Sequence, residues 1–167
     1  GASYTPTANV TLYEKWTANT YTVRYNGNGA TGGSTADSTH TYGVAKNLTA
    51  NGYTRAYTVT YNHNYTGSTN GSATATYDFG TWNKEANGTG DSYENQESVT
   101  NLTTTANGTV NLYAQWTSGS VTLPTPTRDG NTFKGWYSDA ACTTLVGNGG
   151  ASYTPTANVT LYEKWTA

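Results

Sequence analysis

The chain has no methionine and a single cysteine, Cys142, in 167 residues. One thiol excludes an internal disulfide. Charge is scarce as well, at 11% of residues against roughly 25% in ordinary domains. The net charge is −2, and Lys and Arg never form a run. That pattern argues against nucleic acid or an anionic membrane surface as partner. No apolar stretch is long enough to span a bilayer, and no window carries a sustained helical apolar stripe. The best short helical candidate is a turn within residues 91–102. Pro124 and Pro126 hold LPTPTRDG (123–130) extended or looped.

What fills the chain is Thr (36 residues), Gly (19), Asn (18) and Tyr (15). Thr and Tyr favour pleated, half-buried strands, and Asn and Gly favour turns. The composition predicts an all-β chain of many short strands. Thr-rich, Lys-poor, nearly Cys-free β arrays also suit bacterial secreted proteins.

The strongest single signal is a duplication. Residues 1–18 and 150–167 both read GASYTPTANVTLYEKWTA. Self-similarity at a fixed offset marks a repeat architecture, so the chain reads as a slice of a tandem array. Because it opens in mid-repeat, any signal peptide or surface anchor is expected outside it.

Period-two patterning locates the strands. NVTLYEKWT (9–17 and 158–166) and TVNLYAQWT (109–117) alternate in the same way. Val10, Leu12 and Trp16 lie on one face, with Thr11, Tyr13 and Lys15 on the other. Glu14 and Glu163 interrupt the apolar face where the third copy has Ala114. An unpaired buried carboxylate is costly, so each is expected at a rim or beside a Lys or Arg. TYTVRY (20–25) and AYTVTY (56–61) share one pattern. ATATYDFG (73–80) places Ala73, Ala75, Tyr77 and Phe79 on one face, and NTFKGWY (131–137) is a further strand. Gly- and Asn-rich clusters between them are hairpin signals.

Three segments follow. Residues 1–18 are the tail strand of a preceding unit, 19–116 a long unit with an inserted hairpin near 56–79, and 117–167 a short unit. Fifty residues make a marginal domain alone, so the short unit is expected to lean on a neighbour.

The combination "YTVRYNGNGATGG … TYG … NLT", then "FGTWN … ANGTG … Y … VTNLT … GTVNLYAQW", resembles the Listeria–Bacteroides repeat of internalin-like surface proteins. The stretch "VTLPTPTRDGNTFKGWYSDAACTTLV … YTPTANVTLYEKW" is similar to the second half of that repeat. The resemblance implies mostly β structure in tandem, small β-grasp-like modules with antiparallel or mixed sheets and little helix. It implies a secreted or cell-wall-attached bacterial protein, a stalk or adhesion element, and neither catalysis nor cofactor. The sequence departs from the pattern twice. The long unit carries the inserted hairpin, and the short unit lacks the leading YTV strand. The short unit is therefore expected to borrow a strand from a neighbour.

Chemistry-bearing candidates are thin. Cys142 with His40 or His63 is the one nucleophile–base set, without a family signature. Asp78, Glu85, Asp91, Glu94 and Glu97 supply carboxylates, but nothing places a pair across a cleft. Asp91, Glu94 and Glu97 lack EF-hand spacing, and NGNGATGG lacks the Lys-Ser/Thr ending of a phosphate loop. Lys15, Lys46, Lys84 or Lys134 could in principle form an amide with Asn, but no spacing demands it. The Asn-X-Ser/Thr triplets at Asn47, Asn87, Asn101 and Asn107 follow from Asn and Thr abundance. Trp16, Trp82, Trp116 and Trp136 fall at core-anchor positions. Tyr13, Tyr61, Tyr77, Tyr113 and Tyr162 are the candidate ligand contacts, since a wet tyrosine can stack on a sugar or line a protein contact.

The sequence thus predicts a non-enzymatic structural spacer at the bacterial cell surface. Its partners are the adjacent units of the same chain. The alternative is an adhesive module that recognises a host glycan or protein through exposed tyrosines and the inserted hairpin.

Overall fold

In the computed structural model, all residues from 1 to 167 are described, and the chain forms fifteen strands and no helix. They are β1 (Thr20–Asn26), β2 (Gly32–Gly33), β3 (Ser38–Thr41), β4 (Lys46–Asn47), β5 (Tyr53–Asn62), β6 (Gly71–Tyr77), β7 (Phe79–Asn83) and β8 (Ser92–Tyr93). There follow β9 (Ser98–Val99), β10 (Thr109–Trp116), β11 (Val121–Thr122), β12 (Thr132–Tyr137), β13 (Leu145–Gly147), β14 (Ser152–Tyr153) and β15 (Val159–Thr166). Residues 91–102, the helical-turn candidate, contain β8, β9 and a turn in which the Glu97 amide donates to the Glu94 carbonyl.

Two main sheets are built on one plan. The first runs β3-β1-β10-β7-β8. Its central pair, β1 and β10, is parallel, and antiparallel strands flank it. The second runs β13-β12-β15-β5, with β6 also on β5. Its central pair, β5 and β15, is again parallel. The registers coincide: Tyr25 faces Leu112 in one sheet, and Tyr61 faces Leu161 in the other. Alternation explains the faces, since Tyr21, Val23 and Tyr25 are buried along β1, and Val59 and Tyr61 along β5.

The hairpin β5–β6 therefore does not elaborate the long unit, as its place in the sequence implies. It supplies the short unit with the YTV strand that residues 117–167 lack. The chain visits the first sheet with β1 and β3, the second with β5 and β6, the first again with β7, β8 and β10, and the second again with β12, β13 and β15. ATATYDFG is consequently two strands rather than one. The chain passes from one sheet to the other at Asp78, whose carbonyl accepts the Thr117 amide at 3.0 Å.

Each sheet covers its own core. Tyr21, Val23, Tyr25, Leu48, Trp82, Val99, Leu112 and Ala114 form the first. Val59, Tyr61, Ala75, Val121, Leu123, Trp136 and Leu161 form the second. Small ladders close them, β4–β9 beside the first and β11–β14 beside the second. Strand β5 belongs to both. Its first residues pair with β2, and Tyr53 packs on the first core, its hydroxyl donating to the Tyr25 carbonyl at 2.9 Å. Its last residues lie in the second core. Gly119 packs against the backbone of Thr76 with no room for a Cβ, which ties the connection between β10 and β11 to β6.

The tail strand expected within residues 1–18 does not form. These residues carry no strand and are exposed, and Trp16, an expected core anchor, is 83% accessible. The physical reason is that the identical residues 150–167 already occupy the only β5–β12 gap the chain provides.

Candidate functional site

The five tyrosines singled out as ligand contacts separate into three groups. Tyr61 and Tyr77 are corrected from surface to interior, with 4% and 8% exposure. Tyr61 lies 4.9 Å from Trp136, ring centre to ring centre. The Tyr77 hydroxyl donates to the Pro155 carbonyl at 2.6 Å, and the Arg55 guanidinium sits 4.8 Å over its ring. They point inward because the hairpin roofs the second core. Tyr113 and Tyr162 are half-buried on the two central strands, and Tyr13 is exposed.

Tyr113 lines a groove of about 460 Å³ with Lys84, Glu85, Leu102 and Thr103. Lys84 pairs with Asp91 at 2.9 Å, and that hydrogen bond, with Tyr93 beside it, holds the ammonium above its ordinary pKa despite partial burial. A second groove, of about 430 Å³, lies along the Gly-rich loop from Asn26 to Gly33 and is closed by Tyr53. Asn28 and Gly29 have positive φ there, and the Asn28 amide bonds its neighbour's side chain at Asn26 Oδ1. This makes NGNGATGG a tight turn into β2.

The most polar interior cluster sits in the second unit. Glu163 lies on the core face of β15, with 1% exposure. It is not at a rim and meets no Lys or Arg, contrary to expectation. Its carboxylate contacts His63 Nδ1 at 2.6 Å and accepts from Trp165 Nε1 at 2.9 Å. The hydrogen-bonded imidazole supplies the partner that a buried carboxylate requires. Asn64, with φ of 57°, donates to the carbonyl oxygens of Ala140 and Glu163.

Of the nucleophile–base candidates, His63 and Cys142 are both brought to Glu163, the first at its carboxylate and the second at its backbone carbonyl, while His40 lies in the first unit. The Cys142 thiol donates to the Glu163 carbonyl at 3.4 Å, and burial pushes its pKa up. It engages a carbonyl rather than a base, so the arrangement keeps it protonated. His40 is fully buried, stacks on Tyr21 and bonds the Ser38 hydroxyl through Nε2 at 2.9 Å. The acidic candidates are dispersed. Asp91 binds Lys84, and Glu97 accepts from the Glu94 amide. No three His, Cys, Asp or Glu side chains converge.

The two units carry the same aromatic set at matched positions. Tyr25, Phe79, Trp82 and Trp116 in the first correspond to Tyr61, Phe133, Trp136 and Trp165 in the second. Tyr25 to Trp82 is 4.8 Å and Tyr61 to Trp136 is 4.9 Å. The matching extends to the loops, where Asn28 and Asn64 each bond an alanine carbonyl, Ala86 and Ala140.

Residues 116–164 match the Listeria-Bacteroides repeat domain. No curated protein and no solved structure matches the chain. The matched Listeria-Bacteroides stretch contains β11 to β14 and most of β15, but its sheet is completed by β5 and β6 from outside it. No helix is long and apolar enough to cross a membrane.

Proposed function

We propose that the chain is a structural spacer of a bacterial surface protein, built from tandem β-grasp-like modules that stand outside the cell and carry other domains away from the wall. The observation that supports this reading is β5, one strand shared by two cores. A shared strand couples neighbours, so that stability passes along the array. The repeat match points the same way, because this repeat type occurs in bacterial surface proteins.

The spacer has no catalytic step in this reading, and its partners are its neighbouring units. Small-angle scattering tests it. An extended profile is expected, and a radius of gyration near the roughly 15 Å of a compact body of this length overturns it.

A second reading, an adhesive module for a glycan or protein, draws support from the Tyr113 groove. With Tyr61 and Tyr77 interior, Tyr113 is the tyrosine that pairs an open groove with flanking charge. Replacing Tyr113 with Ala should abolish glycan-array or pull-down binding while leaving melting unchanged, and retained binding removes the reading.

A further inference from the structure

One sequence occurs twice in two states. In residues 150–167, β14 pairs with β11, and β15 lies between β12 and β5. Leu161 is fully buried there. In residues 1–18 the same side chains face water: Val10 is 52% exposed, Leu12 71% and Trp16 83%. Even so, Trp16 Nε1 donates to Glu14 Oε2 at 2.9 Å, the contact that Trp165 makes with Glu163 at the same distance. A row of apolar side chains on an unpaired, strand-forming backbone is a template for edge pairing. The acceptor that fits this sequence is already defined by its second copy.

We infer that residues 1–18 are a strand donor whose acceptor is the β5–β12 gap of a second copy of this chain, entered in exchange for that copy's own residues 150–167. Every seated contact is regained, since the sequences are identical: Leu12 takes the place of Leu161, Glu14 meets His63, and Pro6 presents its carbonyl to Tyr77. The resident segment is favoured by its tether, worth an effective concentration on the order of millimolar. Exchange is therefore rare while the resident is intact and prevails when it is weakened. Donor and acceptor are different surfaces, so the contact is head-to-tail, and it extends from copy to copy unless the rotation between copies closes a ring. It is strand addition of the kind that links extended partners to open sheet edges. The inference does not depend on the spacer reading.

The test weakens the resident and leaves the donor intact. In Leu161→Asp, light scattering should give masses at multiples of 17.7 kDa that grow with concentration. Cys142, whose thiol lies against the strand at Glu163, should stay protected from a thiol reagent. In the double variant with Leu12→Asp the chain should be monomeric and the thiol at least roughly tenfold more reactive. A protected thiol at monomer mass in Leu161→Asp places the donor in its own chain and overturns the inference. So does an exposed thiol, or assembly that survives Leu12→Asp. A second measurement does not depend on the variants folding. The native chain, refolded with a synthetic peptide of residues 1–18 supplied in excess of the roughly millimolar effective concentration of the tether, should retain one peptide by native mass spectrometry, and a Leu12→Asp peptide should not bind. Failure to retain the first peptide overturns the inference whatever the variants do.

Discussion

The two units share a sheet plan and an aromatic set but solve two local problems differently. In the first, the slot on the central strand is Ala114, and Trp116 Nε1 donates to the Gly27 carbonyl at 3.0 Å. In the second, the same slot is Glu163, the loop position is His63, and Trp165 turns its indole N–H to the carboxylate. An apolar slot beside a glycine has become a buried polar pair on an equivalent backbone. The second difference lies in the core. The Tyr25 hydroxyl accepts from the Thr49 amide at 2.8 Å and bonds the Ser38 hydroxyl. The Tyr61 hydroxyl is buried with no partner. Leu48 and Leu123 occupy matched core places, so the residues after them, Thr49 and Pro124, correspond. Proline has no N–H to give. Pro124 instead offers its carbonyl to Trp136 Nε1 at 2.9 Å, while Trp82 Nε1 is left without an acceptor. Of the matched tyrosine and tryptophan, each core leaves one polar atom unpaired, and it is the opposite one.

The largest expected effect breaks the polar pair. Replacing His63 with Gly leaves Glu163 buried without its imidazole, and chemical denaturation should show a loss of about 3–5 kcal/mol. Glu163→Ala should cost less, because His63 is partly exposed and water can satisfy its imidazole. The double variant recreates the Ala–Gly pairing of the first unit and should recover most of the loss. Additive losses would mean that the two side chains act separately.

The matched tyrosines come next. Tyr25→Phe strands the Thr49 amide and should cost about 1–2 kcal/mol, whereas Tyr61→Phe removes an unpaired hydroxyl and should be neutral or slightly stabilising. Equal costs would refute the role assigned to Pro124.

Acid should act on the two units in different ranges. Burial, with the Lys46 charge adding to it, holds His40 below its ordinary pKa. The unfolded chain then binds a proton that the folded chain refuses, so stability falls as pH drops below the unfolded value of about 6.5. Thermal melts of the native chain should show this slope, and His40→Asn should flatten it. In the second unit, the amides of Thr144 and Thr143 hold the Asp139 carboxyl below its ordinary pKa. Its contribution is present above the unfolded carboxylate value and is lost as pH falls through the lowered one. Asp139→Asn should remove only that more acidic part of the profile.

The smallest effect concerns Cys142. It has φ of 54°, at the place where the first unit has Gly88 with φ of 79°. Cys142→Gly relieves the left-handed conformation but gives up the thiol's buried contacts. The net change should stay within about 1 kcal/mol by calorimetry.

Much of this architecture is written in the alternation of residues. Period-two spacing puts Tyr21, Val23 and Tyr25 on one face of β1, and Leu112 and Ala114 on one face of β10, and all five are buried. The allocation of strands to sheets is not written there. From Ala73 to Phe79 the period never breaks, yet Ala73 packs on the second core and Phe79 on the first. Periodicity specifies a face and says nothing about which sheet owns it. The surface reading of Tyr61 and Tyr77 failed because it took the hairpin as an insertion in the long unit, whereas β5 and β6 complete the second sheet. Glu163 stood out as a charge on an apolar face, but its partner lies one hundred residues away, in a segment that reads only as a polar loop.

The parallel central pairs have a mechanical consequence. In a parallel pair, the start of one strand and the finish of its neighbour lie at opposite ends. Tension between Thr20 and Trp116 would therefore slide β1 along β10, loading the five register pairs from Thr22–Thr109 to Asn26–Tyr113 together rather than unzipping them singly. A sheet pulled in this way resists as a block, and its rupture force is set by the height of the unfolding barrier rather than by the depth of the folded well.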